Sequence, residues 1–364
     1  MTSSEVHIYE PTGYAGIFQH ACEVARIVGE SGEVRVVVHT SRQHETFGAA
    51  GFDICGCTWW PRRSEGNGVL GTVAKRIAIA ARLLLITLPH LMMTVRPRGV
   101  LHMQGPGPGN SLNLLFLWAA RLRGCRVVYS PHDTFSRRGA IDDRILQFTY
   151  RPAHAVVVYS QADRDRLQDL GSRVHVSPLV QPVPEPAPEQ IQNWRREWKA
   201  DGPGETIVLC AGFVRPDKRL DLLITSARSW PKGRRLAVVG EDRGDWARCA
   251  QLAEQGGVDV ASRIDFIELD EFAAAIAAAD LVVVPAEKAS QSGVLALARR
   301  LGTASVAADV GGMAELASHT FAAGNAEDLT ATIQAALDSP RTCGVVPEDR
   351  VVAKSHRRAY DLPV

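Results

Sequence analysis

Residues Pro285 to Gly312 read PAEKASQSGVLALARRLGTASVAADVGG. The apolar run Leu281-Val282-Val283-Val284 stands just before them and predicts a buried parallel strand. A small polar turn follows, Ser290-Gln291-Ser292-Gly293. From Val294 to Leu301 the apolar spacing is helical and Leu and Ala dominate, and Gly302 ends the helix. The next strand, Ala304 to Ala308, leads into Asp309-Val310-Gly311-Gly312. A strand thus delivers small residues to the start of a helix. Unpaired amides and the positive end of the helix dipole meet there, which makes a phosphate site. A plain βα turn with a serine N-cap has the same local look, so the rest of the chain decides between the two.

Working outward, 364 residues suit two domains rather than one core. With 46% hydrophobic and 22% charged residues the composition is that of a globular protein, and a net charge of +1 gives no global field for nucleic acid. The seven cysteines are odd in number and form no C-x-x-C. Cys55 and Cys57 stand too close for the usual zinc half-site, so no metal site is expected. A reducing cytoplasm fits this usage, and the N-terminus lacks the basic and apolar regions of a secretory signal. Ile77 to Val95 is strongly apolar but contains Arg82, Pro89 and His90, with basic residues on both flanks (Arg62, Arg63, Lys75, Arg76, then Arg96, Arg98). A core helix is the first expectation for it, a helix on a membrane surface the second, and a true span the last.

The first half alternates strands and helices. Val6–Tyr9 leads into the glycine loop Pro11 to Gly16, then a helix over Ile17–Val28. The loop is a weak dinucleotide fingerprint. Gly13 and Gly16 are either turn glycines or backbone laid against a phosphate or sugar. Trp59-Trp60-Pro61-Arg62-Arg63 cap a core, stack on a sugar or sit at a membrane interface. The loop Gln104 to Gly109 follows a strand at Gly99–Met103. The strand Arg126–Ser130 ends in Pro131-His132-Asp133, which makes His132 a catalytic candidate. Pro178 to Pro188 reads as an extended linker. Beyond it the alternation resumes. Ile207–Ala211 precedes the loop Gly212 to Arg219, where Arg215 and Lys218 stand three apart before a helix and suit a diphosphate. Leu236–Val239 ends at Gly240 and Glu241, and Ile264–Ile267 is expected as a short strand. The fold class is α/β: two Rossmann-like β/α/β domains facing across a cleft, 1–180 and 181–349, with the tail 350–364 as a late helix.

The runs GFVRPDKRLDLLI, LAVVGED and ADLVVVPAEKASQSGVLALARRLGTASVAADVGGMAEL resemble the C-terminal half of a GT-B retaining glycosyltransferase of family four. The first half is similar less specifically, through Gly13 to Gly16 and the strand ending at His132. The resemblance implies an N-terminal acceptor domain, a C-terminal domain for a nucleotide-sugar donor, and a C-terminal helix crossing back onto the first. It implies that Arg215 and Lys218 hold the donor diphosphate. The turn at Ser290, Gln291, Ser292, Gly293 and Val294 would meet the distal phosphate, and Gly13 and Gly16 would approach phosphate and sugar. His132 would lie near the transferred sugar, and Gly240, Glu241, Ile267 and Glu268 near the nucleotide. The family carries two glutamates eight apart, at positions that here are Ala289 and Leu297; Glu287 stands two residues early for the first. The activity implied is transfer of a sugar from a UDP- or GDP-type donor, with retention and without metal or other cofactor. The acceptor would be a lipid-linked glycan or small molecule at the inner face of the cell membrane, with no nucleic acid partner. Two alternatives stay open: a catalytically weak binding subunit on the same fold, motivated by Leu297, and a protein like the sugar-nucleotide epimerases.

Overall fold

A computed structural model describes residues 4–46, 51–58, 77–105, 111–134, 150–200, 202, 204–339 and 348–363, the side chains of Ser4 and of 111–114 excepted. Trp59 to Arg63, Lys75, Arg76, the loop Pro106 to Gly109 and Cys343 lie outside the described residues. The chain divides into two compact units, Met1–Gln181 with Pro347–Val364, and Pro182–Val346.

The first unit holds a parallel seven-stranded sheet, β1 Ser4–Tyr9, β2 Val34–Ser41, β3 Asp53–Thr58, β4 Val100–Gly105, β5 Arg126–Pro131, β6 Ala155–Val158 and β7 Val174–Val176. The order is β3-β2-β1-β4-β5-β6-β7. Strand β6, AVVV, is buried throughout, which is why it reads as an unbroken apolar run rather than an alternating one. Helix α1, Ala15–Gly29, covers one face, and the last helix of the chain, Asp349–Tyr360, packs on α1, β6 and β7. Specific bonds fix it there. The Tyr360 hydroxyl lies 2.8 Å from Nδ1 of His102 on β4, and Arg26 of α1 donates to Asp349 at 2.6 Å.

Helix α2 spans Ile77–Thr94, and it corrects the expectation of a core helix: only 17% of it is buried. Leu83, Thr87 and Leu91 form the buried stripe, with Leu83 and Leu91 entering the core of Leu101, Met103 and Phe116. Ile77, Leu85, Ile86 and Met93 are 56–76% exposed. Among the described residues it is the one helix long and apolar enough to cross a membrane by length and composition. Its middle, Leu83–Thr87, is a π turn, where the Leu88 amide bonds to the Leu83 carbonyl. Pro89 explains the position. It has no N–H to return to Leu85, and its ring crowds that carbonyl, so the wider turn forms just ahead of it.

The second unit is a parallel sheet of order β10-β9-β8-β11-β12-β13, made of β8 Thr206–Ala211, β9 Arg234–Val239, β10 Val260–Arg263, β11 Leu281–Val284, β12 Ser305–Ala308 and β13 His319–Phe321. The strand expected at Ile264–Ile267 is displaced. The pairing residues are Val260–Arg263, set in register with Leu236–Val239, and 264–267 form the connection after them. The proline-rich stretch is extended as far as Ala187. A helix, Pro188–Glu197, then starts with proline at its first position, where the missing N–H costs nothing.

Candidate active site

Parallel sheets of this kind bind ligands beyond the carboxyl ends of their strands, where the strand order reverses. In the second unit that reversal lies between β8 and β11, which pair directly. The loops leaving these two strands are Gly212 to Arg219 and Pro285 to Ser292, the two stretches the sequence singles out. They touch. A Cβ on Gly212 (φ +105°) would lie 3.5 Å from Cγ2 of Val294, and Arg219 forms an ion pair with Glu287.

The helix Gly293–Leu301, α9 in chain order, starts at Ser292, whose hydroxyl accepts from the Leu295 amide at 3.3 Å. Ser292 is therefore an N-cap, and its side chain is committed to the helix. The amides of Gly293 and Val294, in the first turn, have no carbonyl one turn back within the helix. The turn is held from beneath. Gly312 N–H donates to the Ser290 carbonyl at 2.9 Å, and Gly311 (φ +51°) approaches so closely that a Cβ there would stand 2.2 Å from the Ala289 carbonyl oxygen. Ser290 is buried, while Gln291 is half-buried at the rim.

The basic loop is a short 3₁₀ turn, Pro216–Lys218, closed by Arg219 in the left-handed region (φ 54°). Arg215 donates from Nη2 to Asp217 at 2.9 Å, and its Nε is buried with no hydrogen-bond partner among the described residues. Burial raises the Cys210 thiol to about 12, and the positive charge of Lys218 opposes that rise. Arg219 also pairs with Asp221 at 3.1 Å. Gly240 and Glu241 adjoin this loop. A Cβ on Gly240 would meet the Gly212 oxygen at 2.0 Å, and Val214 N–H donates to the Glu241 carbonyl at 3.0 Å. The Glu241 carboxylate is paired with Arg243 at 2.8 Å. Ile267 and Glu268 follow the outermost strand β10, half-buried and exposed, with β9 between them and the basic loop. Ala289 and Leu297 are both interior, at 3% and 2% exposure. Neither position can present a ligand group, and the Glu287 carboxylate is engaged by Arg219.

In the first unit the strand order reverses between β1 and β4. The Gly13–Gly16 loop leaves β1 there. Gly13 has a structural reason to be glycine: φ is +78°, and a Cβ would press at 3.0 Å on Ser41 and His44. Its N–H donates to the buried Glu10 carboxylate at 2.8 Å, which also accepts from Thr12 and Thr40. Glu45 accepts from the Ala15 amide at 2.8 Å, so a carboxylate of the chain itself already occupies the start of α1. Gly16 remains exposed, its carbonyl bonded to Gln181 at 3.0 Å. His132 follows β5 and is 8% exposed. Its Nε2 lies 2.7 Å from Gln104 Oε1, and its ring stacks on Tyr159 and meets His20 edge-on. Burial lowers its pKa to about 3, so it is neutral at physiological pH. Sequence reading missed Gln104 as its orienting partner. Gln104 and His102, two apart on buried β4, share one face, and His102 links this group to Ser130 and Tyr360.

The profile of the group 1 glycosyl transferases matches residues 205–339, and that of glycosyltransferase family 4 matches residues 15–179. No curated protein matches the sequence. Among solved structures, Anabaena HepE in complex with UDP and glucose is 16% identical, with a TM-score of 0.68 over 98% of this chain and 95% of that one. Sucrose-phosphate synthase from Thermosynechococcus elongatus is 16% identical, with a TM-score of 0.68 over 98% and 94%. WaaG, a glycosyltransferase involved in lipopolysaccharide biosynthesis, is 19% identical, with a TM-score of 0.62 over 98% and 95%. At these identities the likeness is one of fold, and that fold is GT-B.

Proposed function

The chain belongs to the group 1 glycosyltransferases, and from that premise we propose that it moves a sugar from a nucleoside diphosphate donor to an acceptor hydroxyl with retention at the anomeric carbon. The observation that supports this is that the loop bearing Arg215 and Lys218 adjoins the start of helix α9 at the β8/β11 reversal. Two cations and a helix start match the charge of a diphosphate. HepE, with its bound UDP, favours a UDP-type donor, with a GDP-type donor the other candidate. The reaction breaks the bond between the anomeric carbon and the diphosphate oxygen. The acceptor oxygen takes that place on the same face, and its proton passes to the departing phosphate. The protein's part is to stabilise the charge of the leaving group, which Arg215, Lys218 and the Gly293 and Val294 amides do without a metal. His132 is neutral, so it acts as a hydrogen-bonding group toward sugar or acceptor rather than as a cation.

The acceptor is read as membrane-borne. Helix α2 exposes Ile77, Leu85, Ile86 and Met93, and exposed Arg82, Arg96 and Arg98 lie beside them. An apolar surface with adjoining cations suits a headgroup layer containing anionic lipid. A lipid-linked glycan at the inner face of the cell membrane is the acceptor class this favours, within cell-surface glycan synthesis. The test is thermal stability against a panel of nucleoside diphosphates, with Lys218→Ala beside the natural chain. A ligand that binds only the folded state raises the melting temperature. One nucleotide should do so and lose its effect in the variant. No shift with any of them would turn the reading toward a binding subunit.

A further inference from the structure

Away from the donor loops, four side chains with metal-binding atoms converge at the edge of the first sheet. His39 is on β2, Cys55 and Cys57 on the edge strand β3, and His90 on helix α2. Their ligand atoms all lie within 4.8 Å of one another. Cys55 Sγ is 3.4 Å from His90 Nε2, and Cys57 Sγ is 3.9 Å from His39 Nδ1. The sheet builds the cluster. Cys55 and Cys57 are two apart on one strand and so face the same side, and the register sets His39 directly opposite Cys55. The short C-x-C spacing, discounted as a zinc half-site in the sequence, works here because a strand rather than a loop carries it.

We infer that His39, Cys55, Cys57 and His90 form a structural tetrahedral zinc site that ties helix α2 to the edge of the sheet. The donor set is that of closed zinc sites, two sulfurs and two nitrogens. With Zn–S and Zn–N bonds of ~2.3 and ~2.0 Å, tetrahedral ligands stand ~3.3–3.8 Å apart. The pair at 3.4 Å falls within this spacing, and the pair at 3.9 Å lies just outside it. The wider ones close by ~1 Å shifts of half-buried side chains.

The surroundings prepare the ligands. His39 Nε2 lies 2.9 Å from Nδ1 of His7, and His7 Nε2 lies 3.5 Å from Glu5. With the His7 proton toward Glu5, His39 donates from Nε2 and turns the bare Nδ1 toward Cys57. A ligand histidine backed by a hydrogen-bonded partner is the usual outer arrangement of a zinc site. His39 is fully buried, with its ring packed between those of His7 and His90. Zinc binding to two thiols and two imidazoles displaces two thiol protons to solvent and leaves a complex of two thiolates and two neutral imidazoles with no net charge, which suits its half-buried setting. The site also explains how α2 keeps so apolar a surface exposed while docking through a narrow stripe: the metal adds a second anchor.

The test is zinc content of the full chain, purified reduced and without chelator after equilibration with zinc, together with the absorption spectrum of the cobalt-loaded protein. The expected result is one zinc per chain, cobalt bands of a tetrahedral site with thiolate ligands, and a fall in melting temperature when a chelator strips the metal. Cys55→Ser and His90→Gln should lose the metal and the chelator effect; Cys125→Ala, a buried thiol elsewhere in the same unit, should keep both. If Cys55→Ser does not fold, the half-buried His90→Gln and the chelated natural chain still decide. A folded natural chain with no more zinc than His90→Gln, or cobalt bands unaffected by either substitution, overturns the assignment.

Discussion

Replacing Gly311 by alanine probes how the turn before helix α9 is built. Gly311 sits at φ +51°, and a Cβ there would stand 2.2 Å from the Ala289 carbonyl oxygen. Gly257, in the same unit, has a similar φ of +64° and nothing within 4 Å of its Cβ position. Alanine at either position carries a left-handed strain of ~1–2 kcal/mol. At Gly311 the Ala289 carbonyl must also retreat by ~1 Å, an overpacking cost of ~1–3 kcal/mol. The difference between the two variants is thus ~1–3 kcal/mol, or ~2–12 °C in melting temperature for a unit of this size. Thermal scans of both variants beside the natural chain measure it. The moved carbonyl is also next to Ser290, whose own carbonyl holds Gly312. Gly311→Ala should therefore blunt the stabilisation by a nucleoside diphosphate, while Gly257→Ala should leave it unchanged. Equal melting temperatures, or equal nucleotide responses, would refute the claim that Gly311 supports the turn.

Other consequences follow from the same geometry. Arg215→Ala and Lys218→Ala should each weaken diphosphate affinity by ~10–150-fold, the worth of one hydrogen bond to a charged group at ~1.5–3 kcal/mol, as read by calorimetric titration. His132 and His356 are held by burial at about 3 and about 4, below the ~6.5 of a free imidazole. Below pH ~6.5 the unfolded chain binds protons that the folded chain refuses. Stability should fall as pH drops from there toward 4, by ~1.4 kcal/mol per pH unit for each histidine, and a urea series across that window checks the slope. Leu85→Glu with Met93→Glu should abolish sedimentation with anionic vesicles and change the melting temperature little, because both side chains already face water.

The strands and the loops that leave β8 and β11 were legible in the sequence, and for a physical reason. A strand buried on both faces is an apolar run such as Leu281–Val284, and a helix start after it needs the small residues seen at Ser290 to Gly293. Other elements were not legible. Strand β3 reads DICGCT, and Gly56 together with exposed Asp53 and Ile54 hides a segment defined by its pairing with β2. The exposure of α2 was misread because an apolar helix looks the same whether a core or a lipid surface receives it. The cluster of His39, Cys55, Cys57 and His90 was invisible because sheet register, not sequence spacing, assembles it. Leu297 was recognised as a departure from the glutamate pattern, and its burial shows why: the position belongs to the inner face of helix α9.

A crystal structure of the protein grown with a nucleoside diphosphate sugar tests the central claim most directly. The account predicts the distal phosphate on the amides of Gly293 and Val294, with the Arg215 guanidinium and the Lys218 ammonium within hydrogen-bonding distance of the diphosphate. A diphosphate bound instead at the Gly13–Gly16 loop, or beyond strands other than β8 and β11, would contradict it.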